Sequence, residues 1–413
     1  MNPFEQKPVA IKDTIMDWCT VYPTPYNKMT VDPYTKVRII LMNGIEVEST
    51  LFKHQFHRNC QNNDLRRELA LSRRIEQQQQ QKHINWLKPI DETQLETTIG
   101  YEHVAVDLTA WLAQNEPNPY VKQALDFALL EDFDHLYRYA NLLDLDAQIP
   151  AQQLVKSYVD ITPGRPTIAE HRFPFDSVKF PVDFKTADIR TKLNILIITA
   201  GEQQTMNFYM NIGNTYYNDL GRQLYLEIGM IEEQHVTHYG SLLDPNCTWL
   251  ENLLLHEYME CYLYYSFYQD EQDANVKSIW EMHLQQEIAH LHAAVDLLRK
   301  YENKEWQQVI PGGEFPKLLQ FHDTRDYVRQ ILGQQILLTA NREEYTPVPQ
   351  LPKDHEFFFY QNKVNHDVNA VASHNVILQH QKKCNIDYRA EAKTNPVQEL
   401  TDRTVDNTTI ARC

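Results

Sequence analysis

Three stretches of the chain carry the same ligand-type side chains at the same spacing. An acidic residue is followed thirty positions later by a second acidic residue, and three further on by a histidine. The sets are Glu102, Asp132 and His135; Glu202, Glu232 and His235; and Glu257, Glu287 and His290. Carboxylate oxygens and imidazole nitrogens delivered in matching sets are donors that can hold a pair of metal ions inside a helix bundle. Taken singly, a Glu-x-x-His on a long helix is more often a surface pair than a ligand pair. Three sets in one register, each in an apolar helical setting, favour metal binding.

The elements that must position these residues follow from the spacing. Residues three apart on a helix point to nearly the same side, so Glu232 and His235 can offer an oxygen and a nitrogen to one small region. Thirty residues, split as roughly fifteen down one helix and fifteen up the next, bring the chain back to about the same height. Each set therefore predicts a helical hairpin, over residues 91–145, 186–243 and 248–301. The breaks fall at Asn115-Glu116-Pro117-Asn118-Pro119, near Gly213-Asn214, and near Gln269 to Asp273. Leu142-Leu143-Asp144 recurs as Leu242-Leu243-Asp244, and Leu297-Leu298 stands at the same place in the third hairpin. One hairpin supplies half a site. Two supply four carboxylates and two histidines, a set suited to two iron or manganese ions with a position open for oxygen or peroxide.

The pattern Glu…Glu-x-x-His…Glu…Glu-x-x-His resembles the signature of the ferritin-like di-iron carboxylate proteins, the superfamily of rubrerythrins, bacterioferritins and di-iron oxygenases. The resemblance covers residues 96–300 and is specific for the site rather than for one activity. Three features depart from it: there are three half-sites where the family has two, Asp132 replaces a glutamate, and no rubredoxin-like iron centre accompanies the bundle. The resemblance implies an all-α fold, a ferritin-like helical bundle extended here by a third helical hairpin. It also implies two iron ions, with manganese as the alternative. The expected activity is a di-iron oxidoreductase that reduces oxygen or peroxide, fed by an external electron donor or by its substrate. An iron-handling ferroxidase and a non-catalytic helical scaffold are the rival readings.

In the ferritin-like arrangement the second and third bundle helices run parallel and need a spanning connection, and the proline-rich segment 146–185 is long enough to provide it. Between the second and third hairpins Asp244-Pro245-Asn246-Cys247 makes a tight turn, and Thr248 with Glu251 forms a capping box that starts the next helix. The first two hairpins are therefore expected to share a site. The intact glutamates of the second and third argue for the other pairing. His238 and Glu260 are candidate extra ligands, each read more readily as a polar flank or surface acid. His103 and His256 are outer residues at best, and Tyr262, Tyr264, Tyr265 and Tyr268 are read as packing before redox groups.

Residues 1–90 are expected to form an N-terminal extension. Within it, Val37, Ile39 and Leu41 alternate on one side of Asn43-Gly44 and Ile45 and Val47 on the other, which predicts a small β-hairpin over 34–52. A polar helix follows over 64–87, with Gln77 to Gln81 read as a solvated face or flexible link. Residues 302–413 are expected to hold one helix, roughly Thr324 to Asn341, and an irregular tail.

The chain has 413 residues and a formal charge of −17, which disfavours nucleic acid and other polyanions as partners. Six scattered cysteines without a Cys-x-x-Cys pair argue against zinc ribbons and disulfide frameworks. With no apolar run long enough for a membrane and no export signal at Met1 to Pro8, a cytoplasmic location and no membrane partner are expected. A homo-oligomer is compatible with all of this. No glycine-rich phosphate loop, nucleophile elbow or dinucleotide fingerprint is present.

Overall fold

The structure is a computed structural model of the chain, and it describes residues 1–166, 171–386 and 388–400. The described chain is mostly helical, as an all-α reading requires. Eight long helices dominate: α1 (Pro33–Asn59), α2 (Asn63–Lys82), α3 (Gln94–Asn115), α4 (Pro119–Ala147), α5 (Ile189–Ile212), α6 (Asp219–Gly240), α7 (Trp249–Asp270) and α8 (Ala274–Glu302). Their starts are written in the sequence. The Thr93–Glu96 and Thr248–Glu251 capping boxes open α3 and α7, while Asp32, Asn62, Asn118, Asn218 and Asp273 cap α1, α2, α4, α6 and α8 through side-chain oxygens. Among the described residues no helix is long and apolar enough to cross a membrane.

The predicted β-hairpin over 34–52 is absent, because that stretch lies wholly within α1. Asp32 caps it and Pro33 occupies its first turn. Every residue from Thr35 to Glu46 is buried, so α1 has no polar stripe to reveal a 3.6-residue period, and the alternation of Val37, Ile39 and Leu41 is incidental. Gly44 marks a close approach rather than a turn: a Cβ there would come within 3.1 Å of Gln204 Cβ on α5. The glutamine run is neither a link nor a solvated face. It ends α2, with Gln78 and Gln79 fully buried and Gln78 Oε1 accepting a hydrogen bond from the Met16 amide at 2.8 Å.

The chain divides into two compact units. Unit 1 comprises residues 1–92, 182–204 and 243–321. Here the α1–α2 hairpin packs on the α7–α8 hairpin, α1 against α7 and α2 against α8. Unit 2 comprises residues 93–181, 205–242 and 322–413. Its α3–α4 hairpin packs with α6 through α4. The sequence after residue 322 is more ordered than expected. The helix predicted over Thr324 to Asn341 stops early, as α9 (Arg325–Gln335), and is followed by an antiparallel pair, β1 (Leu338–Asn341) and β2 (Glu344–Pro347). Two further helices follow, α10 (Glu356–Val364) and α11 (Ala372–Cys384), and α11 packs on both α4 and α6. Residues 401–413 of the expected tail lie outside the described residues.

The long connection is ordered against α4 over its described part. Gly164 donates its amide to Asp134 Oδ1 at 2.8 Å, and a Cβ at this position would meet Leu130 O at 2.7 Å and the Asp134 amide at 2.9 Å. Only glycine permits that approach.

Candidate metal centre

Unit 2 brings Glu102, Asp132, His135, Glu232 and His235 into one fully buried cluster. Glu102 comes from α3, Asp132 and His135 from successive turns of α4, and Glu232 and His235 from successive turns of α6. Glu102, His135 and Glu232 each offer an atom within 4.8 Å of the others. His135 Nδ1 lies 2.9 Å from Glu232 Oε1. His235 Nδ1 lies 3.2 Å from Asp132 Oδ1 and 3.3 Å from Glu232 Oε2. Both imidazoles thus turn Nδ1 toward the carboxylates.

Three residues that the sequence reading missed hold this arrangement. Glu131, beside Asp132 on α4, receives His235 Nε2 at 2.7 Å and is gripped through both oxygens by Arg172. With Nε2 donating to Glu131, the lone pair of His235 sits on Nδ1 and faces inward, the outer carboxylate fixing both tautomer and ring orientation. Tyr209 on α5 donates its hydroxyl to Glu102 Oε1. Glu131 and Arg172 carry no spacing signal of their own, since one flanks the pattern and the other lies in the long connection.

The carboxyls separate in acidity. Burial alone would raise Glu131, but the Arg172 guanidinium and His235 hold it down to about 2. Burial also opposes ionisation of Glu232, and hydrogen bonds from His135 and His235 bring it below the usual carboxylate range. Asp132 is raised, chiefly by burial.

Glu202 is buried on α5, in the share of that helix belonging to unit 1. Tyr209 lies two turns further along the same helix face, in the share belonging to unit 2. A cavity of about 340 Å³ opens in unit 2 with Tyr209, Met210, Arg222, Tyr225 and Leu226 in its wall. Tyr139, Tyr209 and Tyr225 cluster with ring centroids 5.0–5.6 Å apart.

Glu257, Glu287 and His290 gather in unit 1, and their partner is a fourth set that sequence reading overlooked. Glu46 on α1, with Glu76 and Gln79 on α2, has the thirty-plus-three spacing of the others. The signal was present but masked by the β-hairpin reading and by glutamine in the histidine position. Tyr264 donates to Glu46, and Gln79 to Glu287. His290 Nδ1 lies 3.2 Å from Glu287 Oε2. Glu260, expected at the surface, is fully buried in this cluster. Burial and neighbouring carboxylates push Glu46 and Glu260 well up, and bring Glu287 to about 8.

The other candidates have separate partners. His238 Nε2 lies 2.9 Å from the Tyr345 hydroxyl, His103 Nε2 2.9 Å from Asp107, and His256 Nε2 2.9 Å from Glu48. Tyr262 donates to the Lys317 carbonyl at 2.9 Å. Neither family models, curated proteins nor solved structures match this chain.

Proposed function

We propose that unit 2 is a ferritin-like di-metal centre, with iron as the metal and manganese the alternative, and that the protein reduces oxygen or peroxide while oxidising a further substrate. The observation that carries this reading is the paired inward delivery of His135 Nδ1 and His235 Nδ1 onto shared carboxylates. Glu102, Asp132, His135, Glu232 and His235 would hold the metals, and the sequence pattern assigns Glu202 to the same set. The donor chemistry fits: borderline nitrogen and hard oxygen ligands, with no thiolate, suit iron and manganese. Asp132 Oδ2 is fully buried without a hydrogen-bond donor, a placement that a cation would satisfy. Four carboxylates around two divalent ions would leave no net charge.

A bound iron pair would supply the redox chemistry, passing electrons from a donor or substrate to oxygen or peroxide. The protein's own groups prepare the site for it. Glu131 and Arg172 fix His235 in the tautomer with Nδ1 available, and Tyr209 directs one oxygen of Glu102. The surrounding apolar helices exclude water, and the cavity bounded by Tyr209 offers a small reactant an approach.

Metal analysis of the purified protein, with optical spectra in air and after reduction, tests the proposal. Bound iron and an oxo-bridged absorption that disappears in Glu232→Ala support it. A protein that takes up no metal, with stability unchanged by chelator and by Glu232→Ala, returns the helical scaffold reading.

A further inference from the structure

Unit 1 repeats the ligand register with two changes. Gln79 stands where a histidine is due, and Lys53 reaches in from α1 with its Nζ against Glu76 and 2.7 Å from Glu257 Oε1. Two groupings in this unit have the reach of a metal ion: Glu76, Glu257 and His290, and Glu257, Glu260 and Glu287. The Lys53 ammonium pairs with two members of the first, so a cation already occupies it. The second keeps Glu260, which is fully buried with no donor from outside the cluster reaching either carboxyl oxygen.

Glu260 lies outside the thirty-plus-three register. It follows Glu257 by one turn, where the other three sets have Ser49, Ala105 and Thr205. A carboxylate is thus added in the unit that has lost a histidine. Glu46, Glu76, Glu257, Glu260 and Glu287 are all fully or nearly fully buried, and Lys53 is the ammonium paired among them. Lys53 compensates Glu76 and Glu257, which leaves the oxygens that Glu257, Glu260 and Glu287 bring within reach of one ion without a cation of their own.

We propose that unit 1 takes one divalent cation of the manganese, iron or zinc class between Glu257, Glu260 and Glu287, with Lys53 standing in for the second ion of a pair. Lys53 sets the stoichiometry, and Glu260 replaces the donor lost at Gln79. The inference is independent of what unit 2 binds.

Manganese counting tests it. Full-length protein stripped with chelator and dialysed against Mn²⁺ is weighed by native mass spectrometry. Glu260→Gln, nearly isosteric, should carry one ion fewer than the wild type, and Lys53→Met one more. If unit 2 also binds its pair, the wild-type count is three, and Glu232→Ala/His235→Ala leaves one. If the unit 2 reading fails, the wild-type count is one and Glu260→Gln brings it to none. Equal counts in wild type and Glu260→Gln overturn the site, and an unchanged count in Lys53→Met overturns the role given to the lysine. Should Glu260→Gln not fold, Co²⁺ titration of Glu232→Ala/His235→Ala decides: one visible-absorbing ion supports the site, and none overturns it.

Discussion

Arg172→Met should destabilise unit 2 more than its single lost side chain suggests, although it removes no ligand. Arg172 and Glu131 are both fully buried, and the guanidinium grips both carboxyl oxygens. The Glu131 carboxyl is held at about 2 against an ordinary 4.5, which corresponds to about 3 kcal/mol of preference for the ionised form. Removing one partner of a buried pair leaves an uncompensated charge and costs about 3–5 kcal/mol. The two figures agree, and a loss of about 3 kcal/mol at pH 7 is expected. Because the folded-state pKa lies below the unfolded one, this contribution is complete above about pH 4.5 and fades as pH falls toward 2. Urea denaturation at pH 7 with chelator present isolates the effect from metal binding. The double variant Arg172→Met/Glu131→Gln removes the stranded charge and should recover most of the loss. A single variant within about 1 kcal/mol of the wild type, or a double variant no better than the single, would refute the reasoning.

Glu131→Gln on its own should weaken metal binding in unit 2 by roughly 10–100-fold, the usual effect of altering the partner of a ligating histidine. Isothermal titration with Mn²⁺ reads it, and unchanged affinity removes the orienting role of Glu131. Lys179 lies nearly buried, its Nζ bonded to the Arg342 carbonyl at 2.6 Å and 4.2 Å from the Tyr345 ring centroid. Burial first, then the Arg172 charge, lowers it to about 7 from 10.5. The unfolded chain therefore holds the proton more tightly, and stability should rise with pH between about 7 and 10, by up to about 1.4 kcal/mol per pH unit. Lys179→Met should abolish that rise in thermal melts across this range. Gly164→Ala forces a Cβ against the α4 backbone and should cost about 1–3 kcal/mol by the crowding it creates, measured by denaturant midpoint. A neutral result would show that the connection can move away from α4.

Helix starts and hairpin breaks were legible because their causes are local. Thr248 and Glu251 cap α7 with the reciprocal bonds their spacing predicts, and the chain turns between Asn115 and Pro119 where proline and asparagine demand it. The helical placement of the nine register residues was legible for the same reason: a helix repeats every 3.6 residues, so a shared spacing means a shared helix face. Local reading failed where burial was complete. The α1 stretch around Asn43-Gly44 has neighbours on all sides, which erased the periodicity that identifies a helix, and with it the set Glu46, Glu76 and Gln79.

The sequence by itself determined that matched sets of carboxylates and histidines lie on helices, and which side chains each helix presents. The tertiary structure alone decided how they combine. It joined the first set to Glu232 and His235 of α6 in unit 2, gave the third set the overlooked fourth as its partner in unit 1, and brought Lys53 to Glu76 and Glu257. It also carried Arg172 from the long connection to Glu131. Spacing along a helix is fixed by bonds between near neighbours. The pairing of distant hairpins depends on which surfaces bury each other best, and no single stretch of sequence records that competition.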